Sequence, residues 1–413
     1  MCSTAAPASG RAGRLARRAA ATTALVLTGL ANAAQADPAW ASMPAGLLPQ
    51  RLPVAAAPSG SHWLLHAEAT DFSASDATPV RDFSGDWARY QPRGGRNAAL
   101  QQARLELAIS DGDWELGATL RSDILITGSR GAFDLVHAYK QRQTLADGSA
   151  LAVDAQEIGV IWAGLRAARS WTLLPARAAD AAGLRLTAAV TPLSVRRVQL
   201  TSAQGTVAYS NAAGYRFDAS TSQQDSHRQL SGWGTVDTTG SGLTSDLGLL
   251  WQPGPSWFAN LSLVDAASRL RVRGVATETM TLSSSTRGVD DRGYLDYHPL
   301  LNGRDSASDL RLRLQRKWSA TAGVLAHDLW AAAPAGSQLG ARWERIGALD
   351  LPALWASLPL APGWALQLDA ETRFRSLGLG VQGRYAALML RSSGLRVGQA
   401  SALGWQASLS LPW

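Results

Sequence analysis

The chain carries a single cysteine, Cys2, and it stands ahead of an apolar segment that reads as an export signal, so the mature protein has no thiol. That excludes disulfides and cysteine-ligated metal, and leaves nothing to mispair in an oxidising compartment. Lysine is nearly absent, Lys140 and Lys317 being the only two, and arginine supplies the other basic side chains. Histidine is scarce too, with 6 in 413 residues. His62 and His66 stand four apart and would share one face of a strand, but no third ligand lies nearby, so no metal centre is expected. Asp290, Asp291 and Asp296 lack the spacing of a calcium loop and read as a solvated turn. After the leader, no apolar run reaches the length of about 18 residues that a transmembrane helix needs. No interior linker divides the chain, and no cofactor motif is present.

The formal charge of +7 shrinks once the leader is set aside. Residues 1–36 hold four arginines (Arg11, Arg14, Arg17 and Arg18) and no acid, so 35 of the 39 basic residues remain against 32 acidic ones, a net of +3. So small an excess argues against nucleic acid as a partner. The same 36 residues have a basic n-region, an apolar stretch from Ala19 to Leu30 and a small-x-small site at Ala34-Gln35-Ala36, which predicts cleavage before Asp37. From Asp37 to Gly60 the chain is rich in Pro and Ala without a period. It is either a periplasmic lead-in or a short plug entering a lumen.

What remains, residues 61–413, is broken into alternating segments of roughly ten residues, as in a transmembrane barrel whose strands show one face to lipid. The clearest hairpin sets Ala103, Leu105, Leu107 and Ile109 against Trp114, Leu116, Ala118 and Leu120, with Asp111-Gly112-Asp113 as turn. A second joins Leu243–Trp251 to Trp257–Arg273 through Gln252-Pro253-Gly254-Pro255. Pro192 predicts a break or bulge in the strand within Leu184–Leu200, because proline donates nothing to a ladder. The polar stretches Ser73–Asn97, Ser202–Gly240 and Ser283–Ser306 are expected as outer loops, Ser129–Gly148 as loop with a possible helix, and Leu351–Leu360 as either a long turn or a strand. Long loops outward and short turns inward give an antiparallel up-and-down barrel of about 14 strands, within roughly 12 to 16.

The sixteen tryptophans fit a membrane. Trp251 and Trp257 flank one turn; Trp318 and Trp330 fall on one face of a single predicted strand; Trp405 and Trp413 punctuate the last. Indole rings settle at membrane–water interfaces, and these six are the expected girdle positions. The closing residues alternate Trp405, Ala407, Leu409, Leu411 and Trp413 with polar or small neighbours and stop on the terminal aromatic. This ending resembles the closing strand of Gram-negative outer-membrane β-barrels. The resemblance implies residence in the outer membrane among its lipids and lipopolysaccharide, insertion by the barrel assembly machinery acting on that strand, and a monomer.

Function is less legible. Arg269, Arg271 and Arg273 alternate with Leu270 and Val272, and Arg311 and Arg313 alternate with Leu310, Leu312 and Leu314. If the leucines face lipid the arginines face the lumen, since outward Arg at mid-membrane costs about 2–4 kcal/mol. The expectation is then a basic wall that guides small anionic or amphipathic solutes; alternatively the arginines pair with acids such as Asp309 or meet lipopolysaccharide phosphates at the rim. A non-conducting barrel, acting as a structural or assembly partner or binding through its outer loops, is the competing class. No convergent Ser, His and acid can be picked from sequence, so an enzyme, for example a barrel hydrolase, is not expected.

Overall fold

The computed structural model describes residues 63–175, 183–228, 238–254, 256–289, 295–297 and 300–412. The export leader, the segment to Gly60, His62, Asp290, Asp291 and Trp413 lie outside these residues. The strands are β1 (Leu64–Ser75), β2 (Arg96–Ser110), β3 (Trp114–Ser129), β4 (Ser149–Leu174), β5 (Gly183–Ser210), β6 (Gly214–Asp225), β7 (Thr239–Gln252) and β8 (Trp257–Ser283). They continue with β9 (Arg287–Val289), β10 (Leu295–Tyr297), β11 (Leu301–Leu312), β12 (Lys317–Leu325), β13 (Gln338–Ile346) and β14 (Leu349–Ala361). β15 (Trp364–Glu371), β16 (Ser376–Gly383), β17 (Ala386–Ser392) and β18 (Ala402–Pro412) complete the set. All pairings are antiparallel, and β18 meets β1 from Ala402 opposite Ala74 to Pro412 opposite Leu64, which closes the ring. β6 and β7 follow one another along β5 and β8, and β11 and β12 along the other edge of β8. Each of those two pairs is one interrupted strand, so the closed barrel has 14.

The barrel is inside out relative to a soluble protein. On β2 and β3, Leu105, Leu107, Ile109, Trp114, Leu116 and Leu120 are exposed, while Gln102, Glu106, Thr119 and Arg121 between them are buried. A wall of outward leucines is stable only against lipid. The β2–β3 turn is built as its sequence predicts: Gly112 takes φ 97°, and the Asp111 carboxylate accepts from the backbone N–H of Asp113 (3.0 Å) and Trp114 (2.7 Å). That rim, which also holds the ends of β1 and β18, is the periplasmic one by the short-turn rule. Trp251 and Trp257 meet edge-on there at 4.7 Å, with Trp114, Trp171 and Trp364 also exposed near strand ends. Toward the opposite rim Trp318 meets Trp343 at 4.4 Å, again edge-on, and Trp405 sits on β18 opposite Asp71.

Several expectations change. Trp330 is not on a strand: β12 stops at Leu325, and Ala326–Leu329 forms a short helical turn closed by Trp330 N–H to Ala326 O at 2.9 Å. Ser202–Gly240 is largely strand, the upper part of β5 and all of β6, and much of Ser283–Ser306 belongs to β9, β10 and β11. These strands run beyond the lipid, where water wets both faces, so they carry no apolar alternation to read. Leu351–Leu360 is β14. Ser129–Gly148 contains helix α1 (Arg130–Gln141), with the Ser129 hydroxyl accepting from Ala132 N–H as its N-cap. Near Pro192 the β4–β5 ladder pairs Gly164 with Leu193 and resumes at Ala167 with Val190.

Two apolar layers cross the interior. Toward the outer rim, Phe72, Leu100 and Leu125 of β1–β3 join Ile346, Leu349, Leu351 and Phe374 from the facing wall. On the other side, Val160, Trp162, Leu193 and Val198 of β4–β5 join Leu270, Val272 and Val275 of β8 and Leu314 of the β11–β12 break. The wall is irregular here: Asp265 and Gly274 on β8 take φ 56° and 66°, and β7 shifts register between Ser245 and Leu247.

A charged partition across the barrel interior

Arg121 and Asp123 are two apart on β3 and therefore point the same way, inward. Across the lumen, the left-handed conformation of Asp265 interrupts β8 and brings its side chain into the interior, where it is 1% exposed. The Arg121 guanidinium donates to both Asp265 oxygens, at 2.9 and 3.4 Å, and to Asp123 at 3.0 Å, and lies 4.9 Å over the Trp162 ring. Thr244 Oγ1 donates to Asp265 at 2.9 Å, and Asp265 N–H to Asp246 at 2.9 Å, so the bulge is held in place. Lys317 Nζ of β12 reaches Asp123 at 2.5 Å although β4, β5, β7 and β8 stand between their strands round the wall. Arg166 extends the chain to Asp246 (2.6 Å) and Glu115 (3.2 Å), and Arg104 pairs with Glu106. These contacts link β3 to β8 and β12 through the interior. The cavity beside them, lined by Arg104, Arg121, Trp162, Arg166 and Asp246, has a volume of about 50 Å³, room for a few waters.

The rest of the wall is charged differently. Asp369 of β15 is ion-paired with Arg342 of β13 at 2.6 Å and accepts from Arg391 of β17 at 2.5 Å, with one strand between in each case, so this group runs along the wall. Within both groups carboxylates outnumber cations: Glu68, Glu106, Glu115, Asp123, Asp246, Asp265, Glu344, Asp369 and Glu371 stand against Arg104, Arg121, Arg166, Lys317, Arg342 and Arg391.

The arginine ladder is not part of this interior. Leu270 and Val272 are fully buried in the apolar layer, whereas Arg269, Arg271, Arg273, Arg311 and Arg313 are exposed. Arg269 is paired with the exposed Leu243, so the arginines are on the outer face. The expectation that they line the lumen is overturned, because at this height of β8 the leucines have an interior core to enter and the arginines have water. The residues that sequence reasoning missed, Arg104, Glu106, Arg121 and Asp123, left a signal on the polar face of its best hairpin.

The fold also unites a Ser, a His and an acid: Ser410 Oγ lies 2.9 Å from His66 Nδ1, and His66 Nε2 is 3.6 Å from Glu68. This is not a hydrolase triad. The acid contact is longer than a hydrogen bond, and the backbone N–H groups of the paired strands β1 and β18 serve their ladder rather than an oxyanion hole.

No family model matches the sequence, and no curated protein does. Solved structures do resemble the fold. A TodX deltaS2S3 mutant monoaromatic hydrocarbon channel aligns over 86% of this chain and 90% of its own at 10% identity, TM-score 0.40. A Pseudomonas aeruginosa FadL homologue aligns over 84% and 89% at 12% identity, TM-score 0.37. The translocator domain of autotransporter NalP from Neisseria meningitidis covers 85% and 89% at 10% identity, TM-score 0.27. Closed ring, outward apolar belt and aromatic rims make this chain a β-barrel of the outer-membrane type.

Proposed function

We propose that the protein is a monomeric outer-membrane channel for small amphipathic solutes, closed at rest by the charged partition, and that its first 36 residues are removed on export. The observation that carries the reading is the cross-lumen pair Lys317–Asp123 beside Arg121–Asp265. A barrel needs no such pairs for stability, since apolar side chains of similar volume hold a buried site as well or better. Ionisable groups kept at membrane depth mark solute paths. Apolar layers next to the partition suit a solute with both characters, and the excess of carboxylates weighs against a preference for anions.

Planar-bilayer recording tests this. Wild-type protein should show rare, small openings, and Lys317→Met should raise open probability several-fold, since it removes the bridge to β12 and leaves only the Arg121–Asp265 bridge to β8. A silent wild type together with a silent Lys317→Met barrel would sink the channel reading. It would favour the second one, a non-conducting barrel that binds through its outer extension, which the polar strands β6 and β11 motivate. Mass spectrometry of the exported protein should find Asp37 at its start.

A further inference from the structure

Arg269, Arg271 and Arg273 on β8, with Arg311 on β11 and Arg313 just after it, form one exposed patch on the outward face of adjacent strands. Arg271 stands directly opposite Arg311 in the ladder, a position where like charges repel across about 5 Å between Cβ atoms. Asp309 bonds Arg271 at 2.8 Å, and its charge also reaches Arg273. Among the described residues, Arg269, Arg273, Arg311 and Arg313 make no ion pair within 4.0 Å. Five guanidiniums gathered around the single acid Asp309 call for an anion with more than one charge, and the guanidinium fork suits phosphate oxygens.

Their position selects the source of that anion. On the same outward face Leu247 and Leu261 are exposed apolar side chains, and Trp318, level with Leu263, marks the outer edge of the belt with Trp343. The arginines begin beyond that edge on the way out along β8, where an outer leaflet carries its headgroups. We propose that this patch binds the phosphorylated saccharide headgroup of lipopolysaccharide, fixing the barrel's depth and rotation in the outer leaflet. This rests on the barrel's place in the membrane and is independent of whether it conducts.

The test uses the full mature chain refolded in neutral detergent, titrated with bisphosphorylated lipid A, the same lipid dephosphorylated, and inorganic phosphate, with binding read from tryptophan emission and from the temperature at which the folded gel band is lost. Bisphosphorylated lipid A should bind and raise that temperature, while the dephosphorylated lipid and inorganic phosphate should do neither. Arg269→Gln/Arg271→Gln/Arg311→Gln/Arg313→Gln should fold normally and weaken binding about fivefold per arginine removed, from the usual worth of a basic side chain at an anionic lipid surface. The matching Arg→Lys variant should keep part of the affinity, since it retains charge without the fork. Equal binding of dephosphorylated lipid, or undiminished binding by the Gln variant, overturns the proposal. A full response to inorganic phosphate overturns the lipid as source and makes the patch a free-anion site.

Discussion

The two sides of the barrel are built to different heights. On one side β4, β5 and β8 run for 26, 28 and 27 residues; on the other β13, β15, β16 and β17 run for 9, 8, 8 and 7. A nine-residue strand at ~3.3 Å per residue and a tilt of ~40° spans about 23 Å, close to the apolar thickness of an outer membrane. The short side therefore stops where the lipid stops. The tall side continues as a polar sheet, for which only the ladder and neighbouring strands supply stability. Charge follows the same division, for the tall side's β8 and neighbouring β12 take contacts across the lumen from β3 through Asp265 and Lys317, while the short side keeps Arg342, Asp369 and Arg391 along its own wall.

The largest expected effect separates those two charge groups. Asp369→Asn leaves two buried guanidiniums without their shared carboxylate and should destabilise by about 3–5 kcal/mol in urea titration of the refolded barrel. Its conductance should stay near wild type, whereas Lys317→Met, milder in stability, should change conductance strongly. The reverse pattern would mean that the short side holds the barrier.

Next comes the lipid boundary. Leu379→Arg, at an exposed mid-strand position of β16, should cost about 2–4 kcal/mol in the same titration. Thr279→Arg, exposed high on β8, should cost almost nothing. Equal penalties would place the upper part of β8 in lipid and remove the contrast between the sides.

The smallest effect concerns the cap over the outer rim, where Trp87, Phe83 and Tyr90 of the loop after β1 pack with Phe133 of α1. Tyr90 donates to Asp134 at 2.7 Å and stacks on His137 with centroids 4.5 Å apart. Burial, and then the Asp134 carboxylate, hold the Tyr90 phenol well above its ordinary pKa of 10.0. Because the folded value is raised, the contribution is full below pH 10.0 and declines as pH rises from there toward the folded value. Proteolysis of the 76–95 loop should accelerate above that pH in wild type. Tyr90→Phe, at a cost of about 1 kcal/mol, should abolish the dependence.

Much of the membrane-embedded part was legible in the residues themselves. Alternation at Leu105–Ile109 and Trp114–Leu120 and the turn at Gly112 predict these strands, and the pattern as a whole the strand number, correctly. Trp330 was misplaced because a chain that turns back keeps the same apolar spacing for a few residues. The partition was illegible because Asp123 and Lys317 are joined only by closure of the ring.

The sequence by itself determined that these segments are strands and that they form a barrel near 14, because side-chain period is a local property of the backbone. Which face is inside was decided by tertiary structure. Along β8 the outward positions Leu261 and Leu263 give way, on the same face, to Arg269, Arg271 and Arg273, while Leu270 and Val272 turn inward. The strand keeps its phase through the Asp265 bulge; what changes is the medium outside it, lipid below and water above. An alternating pattern states that one face is apolar, and only the position of the membrane edge and of the opposing wall states where that face must go.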